Sequence, residues 1–256
     1  MKYPRTSVLL FASLLLFLSL FLIYLFHRYR KPTIDDIWYI NLDRDLDRQT
    51  YFRGMAHRLP KPVTRWSGTD GKKEERHTAL MDGVSTGFTK SMDKEANDKS
   101  TKVLNHPGVI GCWLSHKRLL QHLQTLDVPD HYGHLVLEDD IVIPENFQEQ
   151  WNTIQPHIPN NWDFVYFYTM NTYGDRINPY VVQWKNDKIR ANAGTQGYLV
   201  RHGALPAILS KLRYMDSPID CQYYRHFGDL NVYIVDPPLI QHSEMESTIL
   251  TMNKEH

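Results

Sequence analysis

The strongest constraint on the fold is a short apolar run at residues 135–137 that stops at three consecutive carboxylates, Glu138, Asp139 and Asp140. Such a run is typical of a strand buried on both faces. In open α/β sheets, ligands bind beyond the C-terminal ends of the strands. Adjacent carboxylates repel one another, so a bound cation is a natural partner. The pattern predicts an α/β sheet with a ligand or cation site at this strand end. A solvated acidic turn is the simpler alternative.

The rest of the chain alternates between short apolar runs and longer segments with helical spacing. Predicted strands cover residues 37–42, 62–66, 163–168, 197–200 and 231–235, and a hairpin is predicted between 181–184 and 188–190. Predicted helices cover residues 43–59, 109–126, 144–154, 203–213 and 219–227. This alternation predicts a mostly parallel sheet flanked by helices.

Composition narrows the classes of function. With 256 residues and 42% hydrophobic residues, the chain can form one globular domain with a real core. Lys+Arg and Asp+Glu balance at 29 each, so the basic excess of a general nucleic-acid binder is missing and no nucleic-acid partner is expected. The two cysteines, Cys112 and Cys221, are too few for a disulfide scaffold, and whether they pair stays open.

The N-terminal region contains an uncharged run at residues 7–26, SVLLFASLLLFLSLFLIYLF. Its length matches the hydrocarbon core of a bilayer, which predicts a transmembrane anchor; a cleaved signal peptide is the rival. The predicted organisation is a tail at 1–6, the anchor, a linker at 27–35 and a domain at 36–250. We expect a single-pass membrane protein of type II, in the Golgi or endoplasmic reticulum lumen if the cell is eukaryotic, although the flanking basic residues do not fix its orientation.

Residues 68–106 are polar and show no sustained period. A segment of this length within one domain is typically functional or disordered, so we predict a flexible insertion. It is either a surface loop or a flap that binds an acceptor.

Several motifs follow one another along the chain. They are YINLDR at 39–44 followed by Asp47 and Arg48, GVIGCWLSH at 108–116, LEDD at 137–140, GYLV at 197–200 followed by GA at 203–204, Asp220, and PLIQHS at 238–243. In this order they resemble glycosyltransferase family 25, which includes bacterial lipooligosaccharide and collagen galactosyltransferases. The resemblance extends over nearly all of residues 36–250. One departure is Val109, where the family often has an acidic residue.

This resemblance implies a GT-A-like, Rossmann-like fold and a glycosyltransferase. The implied enzyme moves a hexose such as galactose from a nucleotide sugar, a UDP-sugar, to a hydroxyl of a glycan or glycoprotein, with Mn²⁺ or Mg²⁺ and with inversion. The implied metal ligands are Asp140, Glu138 and His242. The implied donor-binding residues are Asn41, Leu42, Arg44, Arg48, Ser115, His116, Glu138 and Asp139. The implied general base is Asp220.

Each of these residues also has a simpler interpretation. His242 could be an ordinary surface histidine, and Asp220 could only favour the start of a helix. Arg44 and Arg48 could pair with Asp43 or Asp47, and Ser115 and His116 could only pack. Two other functions stay open: an inactive membrane-tethered member that binds glycans or scaffolds other enzymes, and a metal-dependent hydrolase. The hydrolase would need additional closely spaced ligands, which the sequence does not offer.

Overall fold

The computed structural model describes residues 5–28, 30–86, 107–185, 194–243 and 245. The strands are β1 (Asp36–Asn41), β2 (Val63–Ser67), β3 (Gly133–Glu138), β4 (Ile141–Val142), β5 (Phe164–Tyr166), β6 (Gly174–Asn178), β7 (Val181–Trp184), β8 (Gly197–Arg201), β9 (Val232–Val235) and β10 (Gln241–His242). The helices are α1 (Arg5–Arg28), α2 (Leu46–Met55), α3 (Arg76–Met81), α4 (Pro107–Gln124), α5 (Phe147–Ile154), α6 (Leu205–Lys211) and α7 (Ile219–His226).

Eight strands form one sheet in the order β2-β1-β3-β8-β5-β9-β7-β6, and β4 and β10 form a separate antiparallel pair. Following the pairings across the large sheet, β7 and β8 run opposite to the other strands. The predicted mixed α/β fold with a mostly parallel sheet flanked by helices is therefore confirmed.

Helices cover both faces of this sheet, and β3 shows how the sequence directs them. Successive side chains of a strand point to opposite faces. Leu135 and Leu137 belong to a core cluster with Phe52 of α2. Val136 belongs to the opposite cluster, with Trp113 of α4. Burial on both faces explains why β3 is apolar throughout instead of alternating.

The N-terminal helix α1 covers the run predicted as a membrane anchor, and its side chains from residue 10 to residue 21 are exposed. A membrane-spanning helix needs about 20 consecutive, predominantly apolar residues. Within the described ranges, no helix combines the length and the apolar character required to cross a bilayer. The prediction of a transmembrane helix at residues 7–26 is therefore not confirmed.

In the structure, the first strand of the hairpin predicted around residues 181–190 pairs with strands other than residues 188–190. β7 pairs with β6 on one side and β9 on the other, while residues 188–190 lie outside the described ranges. β6 reads GDRIN and is almost wholly exposed, so no apolar alternation marks it. Its first residue, Gly174, has a φ of +152°, and a Cβ there would meet the Gln183 carbonyl oxygen at 2.1 Å. Glycine is therefore required at this close approach.

The insertion predicted at 68–106 is structured over its described part, residues 68–86. It contains α3, and Ala79 and Val84 are buried in the same core cluster as α4. Arg118 of α4 holds it by donating hydrogen bonds to Glu74 and Asp82. The sequence did not reveal this helix because it is short and mostly exposed. The remaining residues of the predicted insertion, 87–106, lie outside the described ranges.

Candidate functional site

A cavity of about 730 Å³ opens at the C-terminal ends of β1 and β3. Every residue assigned to a site from the sequence lines it: Asn41, Leu42, Arg44, Arg48, Ser115, His116, Glu138, Asp139, Asp140, Asp220 and His242. The volume falls within the range of roughly 300–1,000 Å³ that small-molecule sites occupy. Residues spread over 200 positions of sequence thus converge on one cavity.

Glu138 is the last residue of β3 and faces α4, as its alternation with Leu137 requires. Its Oε1 is 3.1 Å from His116 Nε2 and accepts a hydrogen bond of 2.5 Å from Thr195 Oγ1. On the other side of its ring, His116 Nδ1 is 2.9 Å from the hydroxyl of Tyr198. Although burial alone would raise it, the hydrogen bonds from His116 and Thr195 lower the pKa of Glu138. We therefore expect this carboxylate to be ionised near neutral pH.

Asp139 faces the opposite side of the sheet, where α2 begins. It accepts hydrogen bonds from Asn41 Nδ2 at 2.7 Å and from Arg48 Nη1 at 2.8 Å. Asn41 Oδ1 in turn accepts a bond from Arg65 Nε at 2.9 Å. Burial raises the pKa of Asp139, while Asn41 and Arg48 work in the other direction. Both Asp139 oxygens are thus bound by protein groups, which marks Asp139 as a residue that positions Arg48 and Asn41.

Asp140 differs from its neighbours because one of its oxygens has no partner in the part of the chain that the structure describes. Its Oδ2 is 3.5 Å from Arg48 Nη1 and 3.7 Å from His242 Nε2. Its Oδ1 is buried and accepts no hydrogen bond within the described part of the chain. Burial, followed by the charge of Glu138, raises the pKa of Asp140 to about 6. A buried carboxylate oxygen without a donor is costly unless a ligand or ion satisfies it.

The small β4–β10 sheet brings His242 to Asp140. His242 pairs with Ile141, and the Ser243 amide donates to the Asp140 carbonyl at 2.8 Å. The histidine side chain is 37% exposed, so it reaches the cavity from a partly open edge. A pair of two-residue strands separated by 98 positions gives no periodic signal in the sequence, although the predicted role of His242 does not depend on it.

The opposite wall of the cavity is a loop that packs on the first turns of α4. Ser115 Oγ accepts a hydrogen bond from the Thr69 amide at 2.8 Å and donates to the Gly111 carbonyl at 2.6 Å. Gly71 and Gly111 permit this contact, since a Cβ on Gly71 would meet the Pro107 carbonyl oxygen at 1.8 Å. Ser115 therefore anchors the loop, which agrees with the simpler interpretation of this residue.

Two further predicted residues lie at the edges of the cavity. Arg44 pairs with Asp70 across the mouth and keeps 37% of its side chain exposed. Asp220, in the first turn of α7, accepts a hydrogen bond from the Cys221 amide at 2.7 Å through Oδ1. This bond agrees with the capping role considered for Asp220, while its position in the cavity wall is compatible with the catalytic role.

The cavity is also lined by residues that the sequence analysis did not assign to the site, among them Cys112, Tyr168, Thr195 and Gln196. Thr195 binds Glu138, and Gln196 has a buried Oε1 without a hydrogen-bond partner in the described ranges. The signal for Cys112 was its helical spacing from His116, four residues later. Thr195 and Gln196 immediately precede β8 and carry no local signal. Both cysteines are free, which answers the question of their pairing.

The fold is an α/β sheet with a cavity at the C-terminal ends of β1 and β3 that is lined by three consecutive carboxylates. The family model of glycosyltransferase family 25 (LPS biosynthesis protein) matches residues 34–222. The chain therefore belongs to glycosyltransferase family 25, as its motifs suggested. A search of curated proteins found no match.

Proposed function

We propose that this protein transfers a hexose from a UDP-sugar to a hydroxyl group of a glycan or glycoprotein, with a divalent cation and inversion at the anomeric carbon. Membership of the family supports the glycosyltransferase class. The single observation that carries the proposal further is at Asp140, which lines a cavity of suitable size and whose buried Oδ1 has no hydrogen-bond partner among the described residues.

The residues around Asp140 fit Mn²⁺ or Mg²⁺. Carboxylate oxygens suit these hard cations, and imidazole is also a ligand for transition metals such as Mn²⁺. Asp140 and His242 would hold the ion, with Glu138 facing it from β3. When bound, the ion would act as a Lewis acid that stabilises the charge developing on the departing diphosphate.

The basic residues of the cavity divide into two roles. Arg48 is buried between Asp139 and Asp140; although burial works against it, these carboxylates raise its pKa, so it stays charged. Arg48 holds the neighbouring carboxylates in place. Fewer of its N–H groups can therefore bind the nucleotide-sugar donor than the sequence suggested. Arg44 lies at the mouth, paired with Asp70, and is the better candidate for the diphosphate.

Asp220 is the proposed general base. Its bond to the Cys221 amide engages Oδ1 and fixes the carboxylate at the start of α7. The second carboxylate oxygen of Asp220 would accept the proton of the acceptor hydroxyl while the hydroxyl oxygen attacks the sugar. Inversion follows from this single displacement.

The proposal is tested by screening the purified full-length protein against a panel of nucleotide sugars, with Mn²⁺, with Mg²⁺ and with a chelator. We expect cation-dependent release of UDP from one UDP-hexose, enhanced by an acceptor glycan. The Asp140→Asn variant is the control for a contaminating enzyme. Turnover that is unaffected by the chelator, or that persists in the variant, would contradict the proposal.

A further inference from the structure

A second set of potential metal ligands lies in the same cavity, on the α4 side of β3. Cys112, His116 and Glu138 each offer one ligand atom, and these three atoms lie within 4.8 Å of one another. All three residues line the cavity. The set shares Glu138 with the predicted Asp140 site but otherwise consists of different residues.

The secondary structure accounts for this convergence. Cys112 and His116 are four residues apart on α4, so their side chains lie on one face of the helix. The same spacing presents two histidines to Zn²⁺ in helical zinc motifs. β3 passes beneath this face and ends at Glu138, which supplies the third atom from a rigid strand.

From this arrangement we propose that Cys112, His116 and Glu138 form a binding site for Zn²⁺ or a similar thiophilic divalent cation, which shares Glu138 with the hard-cation site at Asp140 but takes its other two ligands from α4. Thiolate and imidazole ligands favour Zn²⁺ over Mn²⁺ or Mg²⁺. Three protein ligands facing a cavity leave the fourth tetrahedral position open. This inference does not depend on the proposed sugar transfer.

The geometry is close to that of a bound site. Zinc–ligand bond lengths of 2.0–2.3 Å place tetrahedral ligand atoms ~3.3–3.7 Å apart. His116 Nε2 and Glu138 Oε1 are already 3.1 Å apart. Because the Cys112 sulfur lies within 4.8 Å of a ring nitrogen of His116 and of a carboxylate oxygen of Glu138, it needs to move by roughly 1 Å.

The surroundings of His116 favour a ligand role. Metal-binding histidines usually donate their other ring N–H to an oxygen, which fixes the ring. In His116, Nδ1 lies 2.9 Å from the Tyr198 hydroxyl, and Nε2 points at Glu138. Without metal, Nε2 carries the proton that Glu138 accepts. With metal on Nε2, the proton resides on Nδ1 and is donated to the Tyr198 oxygen.

The thiol of Cys112 supplies the proton that metal binding must displace. Burial, with the charges of Glu138, Asp220 and Asp140, raises its pKa well above the usual range. Coordination by a divalent cation deprotonates a thiol outright, and the proton is released to solvent. The resulting thiolate neutralises one charge of the cation, and Glu138 neutralises the other.

Zn²⁺ binding to the full-length protein, measured by calorimetry with the reductant kept constant, tests the site. We expect one tight site in the parent protein. Cys112→Ser should weaken it by more than the roughly 10- to 100-fold that loss of an outer-shell partner costs, and Tyr198→Phe by about tenfold. Cys221→Ser is the matched control, because Cys221 is also a free cysteine in the cavity wall. It should bind Zn²⁺ like the parent.

A second measurement keeps the test valid if Cys112→Ser folds poorly. In the parent protein at alkaline pH, where part of each thiol ionises without metal, stoichiometric Zn²⁺ should slow alkylation of Cys112, detected by mass spectrometry, and leave the rate at Cys221 unchanged. Cobalt in place of zinc should give a thiolate-to-metal charge-transfer absorption that Cys112→Ser lacks. Equal Zn²⁺ affinity in the parent and Cys112→Ser, equal protection of both cysteines, or loss of tight binding in Asp140→Asn with retention in Cys112→Ser would overturn the proposal.

Discussion

Two buried aspartates at opposite ends of the sheet have contrasting surroundings. Asp163, just before β5, pairs with Arg201 through Oδ1, and its Oδ2 accepts hydrogen bonds from the amide and the side chain of Asn231 at 2.9 and 3.0 Å. Asp140 is buried to a similar degree, with exposures of 7% against 4%, but its Oδ1 has no partner in the described ranges. One carboxylate is fully used by the fold. The other has an oxygen that a ligand or ion could bind, an arrangement typical of functional sites.

The largest expected effect on stability is at the satisfied carboxylate. Asp163→Asn should lower the free energy of unfolding by about 3–5 kcal/mol, because it removes the carboxylate charge that pairs with the buried Arg201 guanidinium. Denaturant titration measures this change. A loss below about 1 kcal/mol would show that Asp163 contributes little, and the contrast with Asp140 would then fail.

Substitution of the proposed base, Asp220, is expected to raise the activation free energy of sugar transfer by an amount similar to the loss of stability at Asp163. Asp220→Asn should reduce sugar transfer by about 10²–10⁴-fold, because the acceptor hydroxyl loses its proton acceptor. Binding of donor and cation should be retained, since the amide keeps the bond to the Cys221 amide proton. Transfer at the parental rate would show that the base lies elsewhere.

The same Asp→Asn change should act in the opposite direction at Asp140. Its raised pKa means that the ionised form destabilises the folded state: stability from this group is fully present below pH 3.8 and is lost as the pH rises through about 6. Asp140→Asn should therefore raise the free energy of unfolding by about 1–3 kcal/mol at pH 7–8 and leave it unchanged near pH 4. The measurement is denaturant titration at both pH values with a chelator present. Lower stability at pH 8 would contradict the assignment of Asp140 as a strained carboxylate.

The smallest expected effect is at His242. His242→Ala should reduce transfer by about tenfold, because water can replace a partly exposed imidazole at the ion. The variant should need a higher Mn²⁺ concentration than the parent for half-maximal transfer. An unchanged Mn²⁺ dependence would return His242 to the surface role that the sequence left open.

The sequence predicted the parts of the fold that bury many apolar residues. β3 and α4 were found because continuous apolar runs and helical spacing reflect burial. β6 and β10 were missed, since an exposed edge strand and a two-residue strand bury too little to leave a pattern. Their partners are set by tertiary contacts that no local signal encodes.

The candidate site was predictable to the same extent. The motifs identified residues that do line one cavity, yet they could not reveal how the carboxylates divide their contacts. Glu138 faces α4, and Asp139 binds Arg48. Asp140, which follows the end of β3, has one oxygen without a hydrogen-bond partner among the described residues. Alternation along a strand predicts the face to which a side chain points only for residues within the strand. Thr195 was missed because only the pairing of β8 with β3, which is a tertiary contact, brings it to Glu138.

The most direct test of the account is calorimetric titration of the UDP-sugar identified in the screen into the parent protein and into Asp140→Asn, each with Mn²⁺ and with a chelator. Asp220→Asn serves as a control that should bind like the parent. We predict Mn²⁺-dependent binding in the parent and none in Asp140→Asn, although the variant is folded and at least as stable. Equal Mn²⁺-dependent binding in the parent and in Asp140→Asn would contradict the claim that Asp140 holds the cation.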